Sequence, residues 1–257
     1  MRTKRLIVIL SSCIFAVAIL TSCLFIFTIS KIDVKFTAEK GSQTMHLQQD
    51  LEQFSGKNLI FLKKEKVDEV ISKYPYFKLD SVSKGYPNVL ELEISQRIPV
   101  YRFIDQNKNV YLLDKTGFVV DCITEEQYKN LSLLTIELTF ATDSSANLTV
   151  GKPLNATDKD LFDSVLSMCD SIDLTDCVNK IYVNDNPEFR DVDFYTNSGV
   201  KIQITSAYSR ANEKISKAIQ SYHNAKDYYK TFDTITVFVL KSDGSIQCQW
   251  TNWNKGE

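Results

Sequence analysis

The chain has 257 residues, with 30 Lys and Arg against 32 Asp and Glu and a formal net charge of −2. That mild acidity argues against nucleic-acid binding, and 15 Phe with 12 Tyr beside only 8 Gly and 5 Pro argues against a disordered stalk. Two histidines and the absence of a CxxC pair leave no basis for a zinc site.

Leu6 to Ile29 is a run of 24 positions without a charge or a proline. As a helix it is about 36 Å long, enough for a hydrocarbon core of about 30 Å. Arg2, Lys4 and Arg5 precede it, and no acidic residue occurs before Asp33. The cationic flank predicts a cytoplasmic tail over 1–5, a membrane helix over 6–29, and export of everything from Lys31 onward. A cleaved signal has a shorter apolar stretch, roughly 7–15 residues. Leu20-Thr21-Ser22-Cys23 looks like a lipobox, but Leu24-Phe25-Ile26-Phe27 continues the apolar run where a lipidated cysteine is usually followed by a polar tether. Of the six cysteines, Cys122, Cys169, Cys177 and Cys248 lie beyond the run. Their pairing is open: Cys169 and Cys177 are near enough in the chain to be bridged, and free buried thiols explain the four as well.

Ile32, Val34 and Phe36 alternate with polar residues and predict a strand. Leu47, Leu51 and Phe54 recur at helical spacing, with Ser55-Gly56 as a stop. Asn58-Leu59-Ile60-Phe61-Leu62 is an apolar connector, and a second helix carries Val67, Val70, Ile71 and Tyr74 before Pro75. Phe77 to Lys84 reads as a strand, Tyr86-Pro87-Asn88 as a turn, and Leu90, Leu92 and Ile94 as the inward face of the next strand. The first folded part, 31–97, is thus β-α-α-β-β.

In the second part, 98–250, Lys180-Ile181-Tyr182-Val183 reads as a strand, and Asn197-Ser198-Gly199 joins two strands in a hairpin. A helix from Thr157 to Cys169 begins with a Thr157-x-x-Asp160 capping pattern, and another runs from Ala211 to about Ala225. Two alternating strands, Thr234 to Leu240 and Ser245 to Trp250, follow, and 251–257 is a tail. The expected class is α+β: an N-terminal transmembrane helix, a small first domain, and a larger domain on a mostly antiparallel sheet with flanking helices.

The order of the first part resembles a POTRA domain. The stretch Gly85-Tyr86-Pro87-Asn88-Val89-Leu90-Glu91-Leu92-Glu93-Ile94-Ser95-Gln96-Arg97-Ile98-Pro99-Val100 resembles the pattern of the FtsQ/DivIB family of bacterial division proteins. In that family an aromatic-Pro-Asn turn leads to an alternating strand ending in acidic-Arg-x-Pro; here Gln96 stands where the acidic residue is usual. Gly56-Lys57-Asn58-Leu59 with Leu62, and Tyr111-Leu112-Leu113-Asp114-Lys115-Thr116-Gly117-Phe118-Val119, are similar to the same pattern. The resemblance covers residues 31–120 well and the remainder loosely. It implies a divisome scaffold in the cytoplasmic membrane at the septum, with no cofactor and no small-molecule substrate, and FtsB/DivIC-like and FtsL-like proteins as partners.

No GxSxG, Walker, GxGxxG or HExxH pattern occurs, so the expectation is not an enzyme. Asp114 reads as a turn former. The resemblance and the edge position expected of the last strand single out Ile246, Gln247, Cys248, Gln249, Trp250 and Trp253 for partner binding. Period 2 turns Ile246, Cys248 and Trp250 toward the domain's own core, which leaves Gln247, Gln249 and Trp253 for the partner. The rival readings are another exported POTRA-type adaptor of envelope assembly or secretion, and a membrane-tethered cell-wall enzyme or lipoprotein.

Overall fold

The computed structural model describes residues 11–252 apart from 16, 20, 23–24, 38–41, 132, 134, 142–145, 157, 172–177 and 225–232. The fold is α+β, and the chain divides into two compact units, Met1–Arg97 and Ile98–Glu257.

Residues 11–15, 17–19, 21–22 and 25–26 are helical, and Ile14, Phe15, Val17, Ile19, Phe25 and Ile26 are exposed. Among the described residues no helix is long and apolar enough to cross a membrane. The expected tail 1–5 and residues 6–10, 16, 20, 23 and 24 of the expected membrane helix lie outside the described residues. The expected end of that helix at Ile29 is too late. Ile29 N–H donates to the Lys57 carbonyl at 2.8 Å, Leu59 N–H to Phe27 at 2.7 Å, and Gly56 N–H to Ile29 at 2.9 Å. Ile29 is fully buried, so Phe27–Ile29 are part of the first folded unit.

That unit contains β1 (Lys31–Thr37), α1 (Ser42–Leu51), a 3-10 turn (Glu52–Phe54), α2 (Lys64–Ile71), β2 (Phe77–Gly85) and β3 (Val89–Gln96). The strand order is β1-β3-β2, with β1 parallel and β2 antiparallel to β3. Leu90, Leu92 and Ile94 point inward beneath Leu47, Leu51, Phe54, Val67, Val70 and Ile71, while Glu91 and Glu93 point out. Each such burial is worth about 1.5–3 kcal/mol. The helix ending at Ile71 closes with Ser72 N–H on the Asp68 carbonyl, ahead of Pro75, whose ring disfavours a helical predecessor.

The second unit is built from β4 (Pro99–Ile104), β5 (Asn109–Asp114), β6 (Val119–Thr124), α3 (Glu125–Asn130), β7 (Ile136–Phe140), β8 (Ala146–Asn147), β9 (Asn155–Ala156), α4 (Lys159–Ser171), β10 (Val178–Asn184), β11 (Asp191–Thr196), β12 (Lys201–Ile204), α5 (Ala211–Asn224), β13 (Thr234–Val239) and β14 (Ile246–Thr251). Nine strands form one sheet in the order β14-β13-β12-β11-β10-β7-β4-β5-β6. The sheet is mixed: β4–β7, β7–β10 and β12–β13 are parallel pairs, and the other five pairs are antiparallel, as the larger part of the sheet is expected to be. The cause lies in the connections: α4 carries the chain from β7 to β10 and α5 from β12 to β13. A helical crossover returns the chain to the starting end of the sheet, so the next strand runs parallel.

On one face, Leu161, Phe162, Val165 and Met168 of α4 and Ile215, Ala218, Ile219 and Tyr222 of α5 form a core with Ile181, Val183, Val192, Phe194, Ile202, Ile204, Ile235 and Val237 of the sheet. Thr157, the first residue of the expected Thr157-x-x-Asp160 pattern, lies outside the described residues. Asp158 caps α4, its Oδ1 accepting from Leu161 N–H at 3.0 Å. Asp114 is the expected turn former: its buried Oδ1 accepts from Thr116 N–H, Thr116 Oγ1 and Phe118 N–H. Gly117 of that turn has φ +76, and a Cβ there would lie 2.9 Å from Phe162 Cε1.

Candidate functional site

The sheet of the second unit has two edges, and they differ. At one, the first residue of β6 pairs with a loop: Val119 N–H donates to the Lys152 carbonyl and Gly151 N–H to the Val119 carbonyl, both at 2.9 Å. At the other, β14 pairs with β13 alone among the described residues. Proteins usually blunt such an edge with a bulge, a proline or a lysine. β14 (Ile-Gln-Cys-Gln-Trp-Thr) has no proline and no lysine, and its register with β13 runs unbroken from Val239↔Ile246 to Thr234↔Thr251.

Local bonds set that register. In the β13–β14 turn, Gly244 N–H reaches the Leu240 carbonyl, and Leu240 N–H reaches the Ser245 carbonyl, both at 2.9 Å. Asp243 Oδ1 accepts from Ser245 N–H at 2.9 Å, and this bond holds the Asp243 carboxyl below the usual aspartate range. Arg210, which precedes α5, donates through Nη1 to the Gly244 carbonyl at 2.6 Å and through Nη2 to Glu213 Oε2 at 2.6 Å. The Leu240–Ser245 bond fixes which residues of the antiparallel pair bond inward. By alternation Gln247 and Gln249 face β13 with their backbone, and the N–H and C=O of Ile246 and Cys248 turn away from it.

The side chains alternate at right angles to the backbone groups. Ile246, Cys248 and Trp250 are half-buried against the unit's core, and Gln247 and Gln249 are exposed. Trp250 Nε1 donates to Ser221 Oγ on α5 at 3.0 Å. Burial pushes the Cys248 thiol up, with Lys217 opposing, so the sulfur is protonated at neutral pH. Trp253 lies outside the described residues.

On the face that carries Gln247 and Gln249, the strand registers continue a row from Gln249 through Thr236, Gln203 and Asp193 to Tyr182. Burial raises the Asp193 carboxyl above the usual range, against the pull of Lys201 at 3.7 Å. A partner strand on β14 therefore meets outward backbone groups of Ile246 and Cys248 beside a row of mostly neutral polar side chains.

His46 is exposed on α1. His223 sits in the last turn of α5, its ring edge-on to Tyr222 at 5.5 Å. Among the described residues no three His, Cys, Asp or Glu side chains are grouped so as to hold a metal. Cys122, Cys169 and Cys248 are thiols; Cys177 lies outside the described residues. Sequence reasoning did not single out Arg210 or Ser221, the residues that hold the turn and the tryptophan. For Arg210 the Arg-x-x-Glu spacing at a helix start was the available signal.

No protein-family model matches the chain. Nor does any curated protein match it.

Proposed function

We propose that this chain is a non-enzymatic cell-division scaffold of the FtsQ/DivIB kind. In this reading the N-terminal apolar run anchors it in the cytoplasmic membrane, with residues 1–5 inside and both folded units outside at the septum. FtsB/DivIC-like and FtsL-like proteins are its partners. The observation that carries the reading is the edge of β14, which pairs with β13 alone among the described residues and where an added strand gains main-chain hydrogen bonds. Three further observations support it: the element order β1-α1-α2-β2-β3, which is that of a POTRA-like unit; the exposure of Ile14, Phe15, Val17, Ile19, Phe25 and Ile26 on the N-terminal helical segment; and the motif from Gly85 to Val100.

The test is Cys248→Pro in the full chain. Proline removes an outward N–H and leaves the bonds to β13 in place, so it obstructs an incoming strand without breaking the ladder. Retention of division proteins of these two types from detergent-solubilised membranes should fall about tenfold or more, since each lost main-chain bond is worth roughly 0.5–1.5 kcal/mol and the ring adds a steric block. Undiminished capture by a folded Cys248→Pro chain excludes the β14 edge as the site. Failure of the unsubstituted chain to retain such proteins removes the division reading and leaves a general envelope adaptor.

A further inference from the structure

Three segments of the first unit meet at the point where the N-terminal helical segment joins it. Leu59 N–H bonds to Phe27, Thr28 bridges Asn58, and the Phe27 ring packs edge-on against Tyr86 at 5.8 Å. Lys84 Nζ donates to the Ile60 carbonyl at 2.9 Å, which ties the β2–β3 turn to the 57–61 connector. Large apolar side chains point to solvent at this junction: Phe25 is 80% exposed, Phe61 71%, Tyr86 63% and Ile26 56%. Nothing in the unit's core requires Phe61 or Tyr86 to be apolar, because neither belongs to it. The charge here is mainly basic. Residues 25–32, 55–64 and 84–90 contain Lys31, Lys57, Lys63, Lys64 and Lys84 and no carboxylate; of the carboxylates just beyond them, Asp33 is paired with Lys31 at 3.3 Å, and Glu91 Oε1 lies beside Gly85.

Exposed aromatics next to an apolar helix and ringed by lysines match the chemistry of a membrane–water interface. Aromatic rings are enriched at headgroup level there, and each lysine near an anionic surface contributes about 1 kcal/mol. We propose that Phe61 and Tyr86 seat the first unit in the headgroup layer of the bilayer, with Lys57, Lys63, Lys64 and Lys84 on anionic phosphates. The occupant of this surface is the lipid bilayer itself. The assignment rests on the membrane-anchored reading above and adds to it: the unit is held on the membrane at a fixed face instead of swinging on a tether.

The experiment places a tryptophan at the seat. Full-length protein carrying Phe61→Trp, and separately Tyr86→Trp, is reconstituted into phosphatidylglycerol–phosphatidylcholine vesicles whose acyl chains are brominated close to the headgroup. Both positions are more than half exposed, so the larger ring fits without repacking the core. Emission above the background of the native tryptophans should drop by about half relative to unbrominated vesicles, and less in vesicles of phosphatidylcholine alone. Phe15→Trp in the N-terminal segment, read in vesicles brominated near the acyl-chain ends because Phe15 lies near the middle of the apolar run, serves as the reference for anchoring. Quenching at Phe15→Trp without quenching at Phe61→Trp or Tyr86→Trp overturns the seat and leaves the anchor standing. Absence of quenching at all three overturns both. Equal quenching with and without phosphatidylglycerol overturns the role given to the lysines.

Discussion

Gly117→Ala tests whether the second unit is packed as described. Gly117 has φ +76, a left-handed conformation that costs an L-residue about 1–2 kcal/mol. The new Cβ would stand 2.9 Å from Phe162 Cε1, 3.0 Å from Cζ and 3.3 Å from Leu166 Cδ1. Phe162 cannot move away freely, because it is buried in the helix–sheet core and packs on Phe140 at 6.0 Å. Overpacking of this kind costs about 1–3 kcal/mol. The smaller unfolded-state entropy of alanine offsets about 0.4–1 kcal/mol, so the net loss should be about 2–4 kcal/mol. The chain's two tryptophans, Trp250 and Trp253, both fall in the second unit, so their emission during urea unfolding reports that unit alone. With a slope of about 1–3 kcal/mol per molar urea, the midpoint should fall by about 1–2 M. Placed on a Phe162→Leu background, Gly117→Ala should cost less, because the ring it meets is gone and only the backbone penalty and the milder Leu166 contact remain. An unchanged midpoint, or the same loss on both backgrounds, would refute the packing of this turn against α4.

Two further predictions concern charge. Lys214 is buried on α5 with its Nζ donating to the Thr205 and Ser206 carbonyls at 2.9 Å each, and Lys214→Met should cost about 1–3 kcal/mol by the same tryptophan assay. Burial, with Arg210 adding to it, lowers the Lys214 pKa, so toward alkaline pH the unfolded chain holds more protons than the folded one. The unsubstituted protein's advantage over Lys214→Met should therefore grow as pH rises from the lowered value toward 10.5; an advantage that shrinks over that range contradicts the burial. Asp158 caps α4 and pairs with Arg190 at 2.7 Å. Burial opposes ionisation, but the Arg190 bond, the Leu161 N–H and the Arg190 charge together hold the Asp158 carboxyl below the usual range. Asp158→Asn should be less stable than the parent at neutral pH and equal to it once acid protonates the carboxyl; a difference that persists in strong acid assigns its effect to something other than ionisation.

Where a segment's environment is decided by its own alternation, the sequence is a sufficient guide. Lys31–Phe36, Leu90–Ile94 and Ile246–Trp250 each read as strands with the buried face that the structure gives them. The helix α3 escaped notice because none of its residues is buried, so Glu125–Asn130 carries no apolar period. Its start was nonetheless written locally, as a capping box in which Thr124 and Gln127 exchange side-chain and backbone bonds. The parallel pairs were not legible, since hairpin spacing reports neighbours in sequence and β4–β7 and β12–β13 are joined across intervening elements. The apolar run could not reveal its own end. Ile29 is as hydrophobic as its predecessors, and only the Lys57–Leu59 segment it pairs with assigns it to the folded unit. At the candidate site, the direction of the Ile246, Cys248 and Trp250 side chains was readable, whereas the position of β14 at the rim, paired with β13 alone among the described residues, depends on the whole strand order.

That strand order also has a time axis. From β10 to β14 the sequence order and the spatial order coincide, so each strand added in chain order lies on the outer rim of those before it. The edge offered to a partner therefore does not exist until the last of these strands has arrived, and a chain halted at β13 would present a different rim, Thr234–Val239, with a different row of side chains. Under the proposed function, recruitment would act as a completion signal: a partner that reads β14 engages only molecules whose distal sheet has finished growing.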